Sequence, residues 1–301
     1  MRMSVDRLYD DQPAEGQLDW PRHGVSVEGP ARIDENFNGP EQGRESGPER
    51  SQASEPAVSR PSSDRYGSLE NTDSEQNPEE VGWSWKGLEL SPQANRVAEA
   101  GLEQRRTAEG RDADGNYTDR GITPAMRRIE ADLEHGSLVP DTEKFALKSP
   151  DRFKEKLAKM ITLEPDVPDT ELANSVHDGI RYTFLFQDDH YTNGLQRTSE
   201  AMKGSGYELV ALKPCWDRAE YKGVNSQWRD HESGVLFEVQ FHTAASWEAK
   251  QATHDSYEKI ESPLTSPHER ERLRAYQRGV CESVAVPPGA LELEPYSEER
   301  R

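Results

Sequence analysis

The chain has little of what most catalytic and structural signatures require. Its two cysteines, Cys215 and Cys281, lie far apart in 301 residues, which is too few for a disulfide scaffold or a thiolate metal cluster. Apolar residues make up 32% of the chain against 31% charged, and mean hydropathy is −0.99, so the chain cannot be core from end to end. No run approaches the roughly 18 apolar residues of a membrane span. The opening MRMSVDRLYDDQPAEG has no apolar stretch of the signal-peptide kind. The expectation is a cytoplasmic protein, with non-classical export left open. Cations are also scarce: 37 Lys and Arg face 57 Asp and Glu, a net charge of −20. General DNA binding needs clustered cations, so any nucleotide contact must come from a local basic site. HExxH, paired CxxC, GxxxxGK[ST] and GxSxG are all missing, and the classes they mark are not supported.

The apolar deficit is concentrated at the start. Residues 1–85 are mostly Pro, Gly, Ser, Glu and Arg and read as a disordered low-complexity region, unable to offset its ordering entropy. VGWSWKGLELS interrupts it with Trp83, Trp85, Leu88 and Leu90, a segment expected to pack on the folded domain. Residues 86–120 read as a linker with a helix, and DADGNYTDRG lacks the Glu that closes a calcium loop. The folded domain is expected over 121–287. Its first helix should be capped by Thr123, with Pro124 at the first helical position, and stopped by Gly136. A second helix starts at Ser149-Pro150, with Phe153, Leu157, Met160 and Ile161 on its apolar face and Arg152, Lys156 and Lys159 on an adjacent one. Lys148 precedes the cap, and a helix N-terminus flanked by cations suits phosphate. A short helix capped by Asp169 then leads to a central strand with Ile180, Tyr182, Phe184 and Phe186 on one face. Residues 288–301 read as a frayed acidic tail.

The segment with most chemistry is VLFEVQFHT. Val235, Phe237, Val239 and Phe241 alternate with Leu236, Glu238, Gln240 and His242, the period of a half-buried strand. A carboxylate, an amide and an imidazole in a row make an unusual polar face, and an acid on a rigid strand suits a metal or base position. The helix that follows carries Trp247, Lys250, His254 and Tyr257 on one side, a stripe that ordinarily packs as core.

YKGVN, the hairpin into FEVQFHT, and the helix with His254 and Tyr257 together resemble the synthetase domain of RelA/SpoT-type nucleotide pyrophosphokinases. Those proteins carry a Tyr-x-(Ser/Gly)-x-(His/Asn) strand, an E-(I/V)-Q-(I/F)-(R/H)-T strand and a helix ending in H-x-x-Y-(K/E). The resemblance covers about residues 120–285 in the same order. It implies an α/β fold, a mixed β-sheet flanked by helices of the nucleotidyltransferase-like synthetase kind. It also implies ATP and an acceptor purine nucleotide as substrates, and Mg²⁺ as the metal. Lys148 and Lys156 match the K-x7-K of the family's ATP-phosphate segment, with Arg152 where Ser is usual and Ala146 where Arg is usual. Arg181 matches the Arg of a D-x4-R motif whose Asp holds Mg²⁺. That Asp position is Val176 here, and Asp178 is the nearby substitute.

On this resemblance Glu238 and Gln240 are the catalytic candidates, with Asp178 and Glu238 holding the metal. Lys148, Arg152, Lys156 and Arg181 clamp the donor phosphates. Lys213, Tyr221, Lys222, Asn225 and His254 form the acceptor side, Tyr221 as the stacking platform and Asn225 where His is usual. The expected activity is transfer of pyrophosphate from ATP to a ribose 3′-hydroxyl, as in (p)ppGpp or (p)ppApp synthesis, without a companion hydrolase domain. Two alternatives stand beside it. One is a toxin-like member acting on tRNA 3′ ends or depleting ATP, with a neutralising protein as partner. The other is a nucleotide-binding interaction module whose metal site has decayed.

Overall fold

The computed structural model describes residues 81–262 and 264–298. The low-complexity expectation for residues 1–80 lies outside the described residues. Residues 81–85, included in that expectation, belong instead to a hairpin of β1 (Trp83–Trp85) and β2 (Leu88–Leu90). Its two-residue turn has both Lys86 and Gly87 at positive φ, 51° and 79°, the backbone that matches the twist of a tight hairpin. Leu90 is buried, and Trp83 and Leu88 pack beside it.

Within the 86–120 segment, read as a linker with a helix, the structure places the 18-residue helix α1 (Pro92–Glu109). The Ser91 hydroxyl caps it, accepting from the Ala94 N–H at 3.1 Å, and Gly110 ends it in the left-handed region. Ala94, Ala98, Gly101, Arg105 and Ala108 are buried at helical spacing. That stripe is of small residues, which composition alone does not flag as a core face. The next helix, α2 (Ile122–Ala131), is capped by Gly121 at φ 106° and not by Thr123. A Cβ on Gly121 would lie 2.4 Å from the Gly110 Cα, so the two glycines let the chain cross itself there. Thr123 is buried inside the helix, its hydroxyl 2.6 Å from that of Tyr182. Gly136 does not stop α2; it opens β3 (Gly136–Leu138).

Then follow α3 (Thr142–Phe145), α4 (Pro150–Leu163), α5 (Asp169–Ser175), β4 (Arg181–Phe186), α6 (Tyr191–Gly204), β5 (Tyr207–Pro214), β6 (Val224–Asp230), β7 (Leu236–Thr243), α7 (Ala244–Glu261), α8 (Pro267–Glu282) and β8 (Tyr296–Ser297). Pro168, not Asp169, holds the cap position of α5. The six-stranded sheet has the order β3-β4-β7-β6-β5-β8. Only β4 and β7 pair in parallel; every other pairing is antiparallel. β5 therefore runs in the direction of β4, with β7 and β6 between them. This is a mixed sheet flanked by helices, as expected. The tail is not frayed as far as it is described. Tyr296 and Ser297 pair with Leu212 and Ala211, and Arg229 reaches the Glu298 carboxylate at 3.2 Å.

Two apolar clusters hold the fold. The larger joins one face of the sheet (Tyr182, Phe184, Phe237, Val239, Phe241 and Trp228) to Met126 and Ile129 of α2 and Tyr191 and Met202 of α6. The smaller joins α1, α4 and α5 through Ala98, Phe153, Leu157, Leu172 and Val176. No described helix is long and apolar enough to cross a membrane.

Candidate active site on the polar face of the sheet

Alternation along β7 sends Phe237, Val239 and Phe241 into the larger core. The opposite face is buried as well, which corrects the half-buried strand expected from the alternation. Glu238 is 4% exposed, and Gln240 and His242 are fully buried. In-register neighbours share a face, so strand pairing assembles the surroundings of these residues. Arg181 on β4 lies opposite Glu238, and Gln227 on β6 lies on its other side. The next row is Thr183, Gln240, Asn225 and Lys213, from β4 across to β5. Residues read from four separate segments thus occupy one continuous face. Its rows span three interstrand steps, about 14 Å at the usual strand spacing.

A chain of charged contacts runs through this face. Asp178 accepts from Lys156 Nζ at 2.8 Å, Lys148 Nζ at 2.9 Å and Arg181 Nη2 at 3.0 Å. Arg181 Nε donates to Glu238 Oε2 at 2.7 Å, and Gln240 Nε2 to Glu238 Oε1 at 2.8 Å. Lys250 of α7 donates to Gln240 Oε1 at 2.7 Å. Burial alone would raise the Asp178 carboxyl, but Lys148, Lys156 and Arg181 hold it well below the usual range. Burial acts against Glu238 in the same way, and Arg181 brings it down. Beside them His177 is lowered to about 4, chiefly by burial and then by Lys156. Both acids are therefore ionised and His177 is neutral at neutral pH. Four cations face two carboxylates in this chain, an excess of positive charge that suits an anion.

The residues before Arg181 explain how an acid reaches this centre. Val176 is fully buried in the smaller apolar cluster and supplies no carboxylate. A single 3-10 turn, His177–Gly179, then carries Asp178 into the cation cluster, with Asp178 at φ −90° and ψ 15°. The Lys148 N–H donates to the Gly179 carbonyl at 2.9 Å, and the Arg181 N–H to that of Ala146 at 2.8 Å. The segment bearing Lys148 is thus docked on the segment bearing Asp178.

Not every expected site residue joins the cluster. Arg152 bonds Glu155 at 3.1 Å and Glu258 of α7, and its guanidinium lies over the Trp85 ring at 5.6 Å. Lys222 donates to the Trp216 carbonyl at 2.9 Å and so closes its own loop. On the acceptor side, the Tyr221 hydroxyl donates to Asn225 Oδ1 at 2.7 Å and lies 3.0 Å from His242 Nε2. Burial, reinforced by Lys250, holds His242 neutral, and the Ser246 hydroxyl meets its other ring nitrogen at 2.9 Å. His254 follows Lys250 by one helical turn and shares its side of α7; its Nδ1 is 3.7 Å from the Asp255 carboxylate. The residue most clearly missed from sequence is Lys250, whose stripe with Trp247 and Tyr257 looked like core. It is 3% exposed, so the core reading was right about burial and wrong about chemistry.

Among the described residues no group of three or more metal-ligating side chains gathers. Arg181 bridges Asp178 and Glu238. Magnesium is commonly held by one or two carboxylates together with substrate phosphates and water. With two carboxylates inside an excess of cations, the donor set fits that arrangement and does not fit capture of a bare ion.

No family model matches the chain, and no protein of curated function does. Among solved structures, the small alarmone synthetase 1 from Bacillus subtilis aligns at 12% identity, over 63% of this chain and 90% of that one, with a TM-score of 0.35. The Type VI effector Tas1 in complex with its immunity protein aligns at 14% identity, over 63% and 93%, also at 0.35. A GTP pyrophosphokinase family protein from Streptococcus pneumoniae aligns at 12%, over 62% and 83%, at 0.34. Likeness at that level assigns no activity, and the functional reading rests on this chain's own residues.

Proposed function

We propose that the chain transfers pyrophosphate from ATP to the 3′-hydroxyl of a purine nucleotide, in the manner of (p)ppGpp or (p)ppApp synthesis. One observation carries the reading: Glu238 and Gln240 join the cation-rich site around Arg181 and Asp178 to a polar row whose Asn225 accepts from the Tyr221 hydroxyl. The reaction needs cations at the transferring phosphates, an ionised carboxylate near the attacking hydroxyl, and room for two nucleotides side by side. Lys148, Lys156 and Arg181 bind the donor phosphates. Glu238, kept ionised beside Arg181, faces the hydroxyl proton or the metal; either role needs the charge. Gln240 fixes the Glu238 carboxylate, while Tyr221, Asn225 and Lys213 receive the acceptor.

In the step itself the 3′-oxygen attacks the β-phosphorus and the bond from that phosphorus to the α–β bridging oxygen breaks. AMP leaves with the bonding electron pair, and the hydroxyl proton passes to a carboxylate or to water. Asp178 and Glu238 would hold Mg²⁺ jointly with the phosphates. When bound, the ion offsets charge on the β- and γ-phosphate oxygens.

The test is AMP release from ATP with Mg²⁺ and, in separate arms, GTP, GDP, ATP or tRNA as acceptor. Acceptor-dependent AMP that disappears in Glu238→Gln supports the reading, and the productive arm identifies the acceptor class. ATP binding with no AMP in any arm would assign the chain to nucleotide binding without turnover.

A further inference from the structure

Arg105 lies on α1, outside the span of the family resemblance and in a segment that reads as a linker with a helix, yet it is 1% exposed. Its Nη2 donates to two carbonyls at once, Ala173 at 2.8 Å and Val176 at 2.7 Å. Its Nη1 returns to the Gly101 carbonyl of its own helix at 3.0 Å, and its guanidinium stacks on Phe153 of α4 at 4.9 Å. Those carbonyls belong to the last turn of α5 and to Val176, which immediately precedes the 3-10 turn bearing Asp178. A helix C-terminus leaves carbonyls without partners inside the helix, and a buried one must be met by a side chain. The turn is fitted to this arginine. A Cβ on Gly179 would fall 2.4 Å from Arg105 Nε and 2.5 Å from its Cδ.

We propose that Arg105 is a positioning residue for the donor-phosphate site. It holds the Val176–Gly179 turn so that Asp178 lies between Lys148, Lys156 and Arg181. Three independent features agree on this role. The guanidinium bonds one carbonyl in the last turn of α5 and the Val176 carbonyl at which the 3-10 turn begins. The missing side chain at Gly179 admits the guanidinium stem, so turn and arginine are complementary in shape. Through the Lys148 N–H bond to the Gly179 carbonyl, the same turn also sets the segment between α3 and α4 that carries Lys148. Burial lowers the Arg105 guanidinium to about 10 while Asp178 draws it upward, so the group stays charged at neutral pH and shares the field of the site it supports. Arg105 touches no reacting group on this reading, and α1 is part of the site's support.

The inference rests on the proposed transferase reading for its kinetic consequence, but its structural core is testable without turnover. Arg105→Met keeps the apolar stem and removes both carbonyl bonds. Amine-selective labelling of the whole folded chain, read residue by residue, should rise about tenfold or more at Lys148 and Lys156, the size set by losing a charged hydrogen bond. Lys203 on α6 serves as the unaffected control. Where wild type turns over, KM for ATP should rise by a similar factor, with KM for the acceptor unchanged within about twofold; a general loss of stability would move both. Gly179→Ala should imitate Arg105→Met. Combined with Arg105→Ala it should cost nothing further, because the added Cβ enters the vacated space. If Arg105→Met unfolds, with every lysine labelled alike, Arg105→Lys keeps the charge and one carbonyl bond and should give an intermediate rise at Lys148 and Lys156. Unchanged labelling of those two lysines in a folded variant overturns the inference, as does additive loss in the Gly179→Ala, Arg105→Ala double variant. Inactive wild type with labelling that still responds would refute the transferase reading alone.

Discussion

Replacing Lys250 with methionine removes the ammonium that ends the polar chain and keeps most of its volume. The ammonium bonds Gln240 Oε1 at 2.7 Å, and the opposite end of that amide bonds Glu238 Oε1 at 2.8 Å. A hydrogen bond to a charged group contributes about 1.5–3 kcal/mol. Against it stands the cost of keeping an ammonium 3% exposed, several kcal/mol before its partners are counted. The two nearly offset, so net stability should change by no more than about 2 kcal/mol, or roughly 4–8 °C in Tm for a domain of this size. Activity should respond differently. Without Lys250 the Gln240 amide loses what fixes its orientation, and Glu238 loses a donor. Outer-shell partners of a working carboxylate typically matter by about 10–100-fold. The assay pairs the kcat for AMP release with a thermal melt on the same preparation. A folded Lys250→Met protein with full kcat would refute the claim that α7 tunes Glu238. A large fall in Tm with kcat preserved would make Lys250 a stabilising residue only.

Arg152→Ala and Lys156→Met should separate cleanly. Arg152 belongs to a partly exposed pair with Glu155 and Glu258, so its loss should cost about 1 kcal/mol or less and leave ATP affinity nearly unchanged by calorimetric titration. Lys156→Met should weaken ATP at least about tenfold, since Lys156 is one of the buried cations on Asp178. Asp178 and Glu238 both have depressed folded-state carboxyl values. They therefore contribute stability above the unfolded carboxyl range near pH 4, which is lost as pH falls through the folded values. Asp178→Asn should flatten urea-unfolding stability against pH below about 4 and cost about 3–5 kcal/mol at neutral pH, leaving buried cations uncompensated. Gly194→Ala drives a Cβ to 2.3 Å from the Phe186 ring. Overpacking of that kind costs about 1–3 kcal/mol, visible as a lower Tm with ATP affinity retained.

How far the fold and site were legible depended on what each residue's neighbours contribute. β7 and β4 were readable because alternate Phe, Val and Tyr leave few other options, and α4 because Ser149-Pro150 and a four-residue apolar stripe agree. Strand polarity patterns report one face at a time, so the burial of Glu238, Gln240 and His242 under α7 could not be seen from β7 alone. The buried face of α1 is not legible in its helical composition, because it is largely alanine and glycine, which close packing favours and hydropathy ignores. The Thr123 cap was displaced by a crossing of Gly110 and Gly121 that only the tertiary fold specifies. Asp178 was named as a substitute acid, but its route into the cluster depends on the Val176 plug and on Arg105 from a distant segment. Arg152, equally plausible by spacing, was drawn off to Glu258.

The central claim is that this polar face moves a pyrophosphoryl group. The direct measurement is radiolabelled AMP formed from ATP, Mg²⁺ and each candidate acceptor, in wild type and in Glu238→Gln. The account predicts one AMP per pyrophosphorylated acceptor, requiring both Mg²⁺ and acceptor and abolished by the substitution. AMP that forms equally well without an acceptor, or that survives Glu238→Gln undiminished, would contradict it.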